Sequence, residues 1–338
     1  MSADSILVVG PSWVGDMVMA QSLVQVLKAK APNRDIDVLA PGWSLPIVAR
    51  MPEVRRAVEM PLGHGALNIG VRREVGRRLR DSQYDRAIVL PRSAKAALAP
   101  WFARIPLRTG FRGEMRFGLI NDMRPFDPQA LDQTVKRFVF LGLDDGETLP
   151  PIPSPNLIVD REAQARAIER LVTDPDKPAV GLLPGAEYGP AKAWPAEHFA
   201  AAARALHERG YAVWLLGGPG DRDMAAEISR QAAVPIDNLC GETSLSEAID
   251  LLAACRCVIS NDSGLMHVAA AVQTHVVAIY GSSSPHFTPP LTSHKTIHYL
   301  DLECSPCFKR TCPLGHLRCL REVDPAMVVG GIDALGIA

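Results

Sequence analysis

The sequence predicts an α/β protein: two Rossmann-like, doubly wound parallel-sheet domains facing across a cleft. Short apolar runs alternate with helical patterns through both halves, the signature of βαβ units. Glycine-containing loops follow several of those runs and open helices, as in nucleotide-binding folds. Between the two alternations lies LPPIPSP, residues 149–155, with four prolines in seven positions, an extended linker. The expected units are 1–150, 151–322, and a segment 323–338 that packs back on the first domain as part of a hinge.

In the first half, Ile6–Val9 reads as a strand, Met17–Lys30 as a helix, and Ile36–Leu39 and Arg86–Leu90 as strands. In the second, Ala179–Leu183 is a strand, and Pro195 starts a helix that Gly210 stops. Tyr211–Leu216 is a strand ending in GGPGD, with a helix from about Asp221. Ser244-x-x-Glu247 is a capping box for a helix to about Ala254. Cys257–Ser260 is a strand, Gly264–Val272 a helix and His275–Tyr280 a strand. Ligands of such sheets sit at the carboxyl ends of strands, which places the expected site in the cleft between the halves.

The composition is globular, 47% hydrophobic and 22% charged, and the net charge of −1 argues against a general nucleic-acid partner. The opening MSADSILVVG has no cationic region or long apolar run, so no signal peptide is expected. No stretch approaches the roughly 20 apolar residues of a membrane span. Seven cysteines, four of them crowded near the end, do not form a secreted disulfide framework, and a cytoplasmic location is expected.

The loop GPSWVGD, 10–16, has the glycine spacing of a phosphate-binding loop, but Asp16 and Met17 stand where that motif needs Lys and Ser or Thr. It also lacks the triple glycine of a dinucleotide fingerprint, which argues against hydride chemistry. In the second half, GGPGD and NDSG place glycines and small polar residues at helix starts, where free N–H groups favour an anion, and Lys192 adds a positive charge. Together they point to a nucleotide diphosphate. Asp221-x-Asp223 could be a metal-binding acidic pair; Asp221 reads better as an acceptor for a ribose hydroxyl and Asp223 as a helix-start residue.

In VRREVGRRLR, 71–80, Val71, Val75 and Leu79 share one helical face while Arg73, Arg77 and Arg80 cluster elsewhere. That suits either a solvated face or transient docking on an anionic inner-membrane surface. Cys304, Cys307, Cys312 and Cys319 are spaced closely enough for one structural zinc site, with reduced thiols or a disulfide as the other readings.

The stretches PSWVGDMVMAQSL, MPLGHGAL, RTGFRGEMR, GAEYGPAKAWP, NDSGLMHVAAA and YGSSSPHFTPPL resemble the ADP-heptose:lipopolysaccharide heptosyltransferases, glycosyltransferase family 9, over about residues 6–290. The resemblance implies the GT-B architecture of two Rossmann-like domains. It also implies an ADP-heptose donor, an acceptor that is the first heptose of the inner core on heptosyl-Kdo2-lipid A, and inverting transfer. It assigns Asp16 as general base on the acceptor hydroxyl, and the helix start would keep that carboxylate ionised. It assigns Lys192 to the leaving diphosphate without a metal or catalytic cofactor, aided by Asp262, Ser263, Gly264 and His267. Glu187 and Asp221 would meet donor hydroxyls, and Lys95, Arg112 and Arg116 the anionic acceptor. A sugar-nucleotide epimerase on the same scaffold and a non-catalytic sugar-nucleotide or lipid A core binding module are the alternatives.

Overall fold

The computed structural model describes residues 5–333 and divides into two compact units, Met1–Leu157 and Ile158–Ala338. The boundary falls seven residues beyond the expected 150, because the proline segment belongs to the first unit. Ser22 Oγ donates to the carbonyl of Pro153, and Gln21 exchanges hydrogen bonds with the backbone of Asn156 in both directions.

The first unit holds strands β1 Ser5–Val9, β2 Asp35–Pro41, β3 Arg56–Met60, β4 Arg86–Val89, β5 Leu107–Phe111 and β6 Asp122–Arg124. They form one parallel sheet in the order β3-β2-β1-β4-β5-β6. The second unit holds β7 Ala179–Leu183, β8 Ala212–Leu215, β9 Asp237–Asn238, β10 Cys257–Asn261, β11 His275–Tyr280 and β12 Lys295–Tyr299. Its sheet, also parallel, runs β12-β11-β10-β7-β8-β9. Read from β9, this is the same doubly wound order. The strand sequence therefore reverses between β1 and β4 in one unit and between β7 and β10 in the other, the crevices where such sheets hold ligands.

Central strands β1, β7, β8 and β10 are buried along their whole length, so their sequences are continuous apolar runs rather than alternations. The edge strands β3, β6 and β12 carry mixed, partly exposed residues and leave no such run. That is why the sequence does not announce them.

One charged residue of the first sheet is fully buried. Asp37 on β2 is fully buried and accepts from Arg55, Arg56 and the Tyr84 hydroxyl. Burial alone raises its pKa, but the bonds from Arg55 and Tyr84 and the two positive charges outweigh it and leave the carboxyl below its ordinary value. Asp37 thus serves the strand entries and lies at the opposite end from a nucleotide ribose.

Trp194 is the tie-point of the second unit. Its ring is fully buried against Phe199, its N–H donates to Asn261 Oδ1, and its indole N–H donates to the carbonyl of Val323. Val323, Val328, Val329 and Ile332 join the same core, and helix Pro325–Asp333 packs on helix Ala196–Glu208. The segment from Val323 to Asp333, expected to return to the first domain, is part of the second unit's core; residues 334–338 lie outside the described residues. Apolar residues at 323, 328, 329 and 332 have a face to bury, and helix Ala196–Glu208 supplies it.

Candidate active site

Asp16 stands at the carboxyl end of β1, in the first turn of helix Val14–Lys30, half-buried. Lys28 and Lys30 occupy the last turn, so charges at both ends follow the helix dipole. A cavity of about 240 Å³ opens at the ends of β1, β2 and β4, lined by Ser12, Trp43, His64, Arg72, Ser93 and Lys95 among others. Lys95, expected to bind anions, lies on this rim and donates to the carbonyl of Gly65. Arg72 is buried and donates to the carbonyls of Leu67 and Ala66, so two cations hold the loop 63–67 along one wall.

Next to it, at the ends of β4, β5 and β6, Arg92, Arg112 and Arg124 line a second hollow of about 560 Å³ with Phe126. Arg92 and Arg137 both stand over the Phe126 ring. Gly113 is needed here, because a Cβ would lie 2.0 Å from the Arg92 carbonyl oxygen. Arg112 thus sits where an anion site was expected. Arg116 does not. It is 1% exposed and spends its guanidinium on the carbonyls of Pro91 and Phe111. The correction has a simple cause: the turn Arg116–Ile120 folds the side chain inward, where it braces the arginine loop instead of facing solvent. Arg92 and Arg124 escaped the sequence reading, although Arg92 follows β4 directly and the strand-end rule would have found it.

In the second unit the ends of β7 and β10 converge. Lys192, in the short 3-10 turn Pro190–Lys192, donates to Asp262 Oδ2 just past β10. Asn261 ties the same loops, donating to the carbonyl of Pro184 and accepting from Trp194. Ser263 caps helix Gly264–Ala271 by accepting from the N–H of Met266. His267 is 5% exposed on that helix; burial, with the positive charge of Lys192, outweighs Asp262 and lowers its pKa to about 4. It is therefore neutral at pH 7, and sets a polar ring rather than a charge near Lys192 and Asp262.

Asp221 follows β8 and accepts from the N–H of Gly218; burial raises its pKa. Its carboxylate fills the space over Gly185 and Gly217, at the ends of β7 and β8. Asp223 is exposed in the first turn of helix Arg222–Ala232, and Glu187 is exposed beyond β7.

The cysteine-rich segment braces this site. The N–H of Ala191 donates to the carbonyl of Arg310, that of Ser282 to Ala191, and that of Phe308 to Ser282. The Tyr188 hydroxyl donates to the carbonyl of Phe308, and Lys192 and Arg310 both stand over the Tyr188 ring. Gly189, at φ +151°, is pressed so close that a Cβ would lie 2.5 Å from the Arg310 oxygen. The Ser282 and Ser283 hydroxyls beside it are buried without a hydrogen-bond partner.

Cys304, Cys307, Cys312 and Cys319, the candidate zinc ligands, are all free thiols, and among the described residues no three His, Cys, Asp or Glu are arranged to hold a metal ion. Cys319 is buried beside Leu320 in the second core, and burial, followed by the neighbouring Cys304, Cys312 and Cys307 thiols, pushes its pKa up. Cys240, Cys255 and Cys257 are buried, as expected.

Two parallel Rossmann-like units, one with a carboxylate at its first strand end and the other with a lysine and helix start at its switch point, define a GT-B glycosyltransferase. Residues 72–318 match glycosyltransferase family 9 (heptosyltransferase), and the chain belongs to that family. It is similar to lipopolysaccharide heptosyltransferase 2 of Escherichia coli, 45% identical over 98% of both chains, and of Salmonella typhimurium, 51% identical over the same shares. The solved structure of the E. coli ADP-heptose lipopolysaccharide heptosyltransferase II, 44% identical, superposes with a TM-score of 0.87 over 98% of each chain. The epimerase and binding-module readings give way to a transferase.

Proposed function

We propose that the protein is a heptosyltransferase of type II, moving L-glycero-D-manno-heptose from ADP-heptose to the first heptose of heptosyl-Kdo2-lipid A with inversion. Full-length identity to heptosyltransferases 2 carries this reading. The strand-end residues of the two units supply a chemistry for it.

Asp16 accepts the proton of the attacking acceptor hydroxyl as its oxygen bonds to the anomeric carbon. The bond from that carbon to the diphosphate oxygen breaks on the opposite face, and its electron pair leaves with ADP; base and leaving group on opposite faces are what inversion requires, by analogy with inverting glycosidases. Lys192 neutralises the charge that develops on the diphosphate, and the start of helix Gly264–Ala271 adds its dipole. Asp221 and Glu187 accept from donor hydroxyls, and Lys95, Arg112, Arg92 and Arg124 attract the phosphates and carboxylates of the acceptor. No step calls on a metal.

The acceptor is a membrane lipid, so the enzyme works on the cytoplasmic face of the inner membrane as a peripheral protein. Among the described residues no helix is long and apolar enough to cross a membrane. The exposed Arg73, Arg77 and Arg80 of the helix Ile69–Leu79 and its extension offer transient contact with anionic headgroups. The deciding assay incubates the purified protein with ADP-heptose and mono-heptosylated Kdo-lipid A and weighs the products. Gain of one heptosyl unit supports the reading; donor hydrolysis or epimerisation without transfer refutes it.

A further inference from the structure

Trp13 and Trp43 are about 40% exposed; Trp43 lines the cavity at the ends of β1, β2 and β4, and Trp13 directly follows Ser12, which also lines it. They are built in rather than left over. The indole N–H of Trp43 donates to the carbonyl of Ser12, at 2.9 Å, which fixes that ring against the loop that carries Trp13. The Trp13 ring meets the His64 ring at a centroid distance of 5.2 Å and a tilt of 52°. His64 belongs to loop 63–67, whose carbonyls are held by Arg72 and Lys95. Three rings from three separate strand ends, those of β1, β2 and β3, are therefore each positioned by a bond or a ring contact: Trp43 and His64 line the cavity, and Trp13 packs on His64. Trp13 lies three positions ahead of Asp16 at the start of the same helix.

We propose that Trp13 and Trp43 form an aromatic wall that binds the acceptor heptose ring and presents its hydroxyl to Asp16. The inference rests on the proposed function and adds the residues that grip the sugar. A pyranose has a flat face of C–H groups and a rim of hydroxyls. Its C–H face suits the electron-rich face of an indole, while its rim needs polar partners. The cavity offers both: the indole of Trp43, and around it Ser93, Lys95 and the Gly65 backbone.

At about 240 Å³ the space is smaller than the roughly 300–1,000 Å³ of pockets for drug-sized ligands, so it suits one sugar ring better than an acyl chain. The arginine-lined hollow at the ends of β4, β5 and β6 then receives the anionic groups next to that ring. The arginines suit the anionic groups, and the indole faces suit the apolar face of the ring.

The test is steady-state kinetics of Trp43→Ala, Trp43→Phe, Trp13→Ala and Trp13→Phe with ADP-heptose, using the acylated acceptor and its deacylated oligosaccharide in parallel. Each alanine variant is expected to raise the KM for both acceptors about tenfold or more, in the range of buried aromatic anchors, with the donor KM unchanged. The phenylalanine variants keep a ring and should recover most of the acceptor affinity. An unchanged donor KM also shows that the variants are folded.

Unchanged acceptor KM in all variants would overturn the wall while leaving heptosyl transfer in place. An effect confined to the acylated acceptor would also overturn it, by assigning the rings to lipid. A wild-type protein that makes no product would remove the proposed function and this inference with it.

Discussion

The ammonium of Lys192 donates to the carboxylate of Asp262, across 70 residues of sequence, because β7 and β10 are neighbours in the sheet. Lys192 is 18% exposed and Asp262 5%, so the pair is partly shielded from water. The aspartate holds the ammonium in place, and in the proposed reaction an incoming diphosphate competes for the same charge. Such a pair positions a cation more than it stabilises a fold.

Lys192→Ala is therefore expected to act twice. ADP affinity and turnover should both fall, since the departing charge loses its partner, and the protein should be less stable by about 3 kcal/mol because Asp262 is left buried alone. Adding Asp262→Asn should restore much of the stability and none of the rate. Calorimetry with ADP and urea unfolding of the three variants measure this; an unaltered ADP affinity would place the phosphate site elsewhere.

Asp16→Asn should bind donor nearly as well as the wild type yet turn over at least about 10²-fold more slowly, the usual loss for a general base. The amide keeps the shape of the side chain and cannot take the proton. Donor titration and product formation on the same sample separate the two effects, and near-normal turnover would exclude Asp16 as the base.

His267 makes stability depend on pH. Burial lowers its pKa from 6.5 to about 4, so on acidification the unfolded chain takes up the proton first. Its contribution is complete above about pH 6.5 and is lost as the pH falls towards 4, on the order of 3 kcal/mol in all. Urea unfolding at pH 7 and pH 5 should show this loss, and His267→Gln should flatten it. An equal slope in the variant would mean that His267 is not the group responsible.

Treatment of the intact protein with EDTA should leave turnover unchanged, because the proposed transfer neutralises the leaving diphosphate with Lys192 and a helix start and calls on no metal. Product assays before and after chelation decide it. A loss reversed by a divalent ion would show a metal role that the side-chain arrangement does not provide.

The sequence alone determined the two α/β units, because the central strands are buried on both faces and so write continuous apolar runs, as in Ile6–Val9 and Ala179–Leu183. It determined helix limits where the signal is local. Ser244 and Glu247 form their reciprocal cap as expected, and Asp16 occupies the first turn after β1. Long motifs also pointed to the family. Tertiary structure decided whatever depends on which way a side chain turns or what lies across the fold. Arg112 and Arg116 are four residues apart in one motif, yet one is exposed over the arginine hollow and the other is buried on two carbonyls. The cysteine spacing does not say where its segment goes; folding sent Cys319 into the core and put segment 305–310 to work bracing the Lys192 loop. The segment from Val323 found its apolar partner in the second unit through Trp194 and helix Ala196–Glu208. Local patterns record helix starts and buried strands because neighbours in sequence cause them; these outcomes were set by partners 25 to 129 residues away.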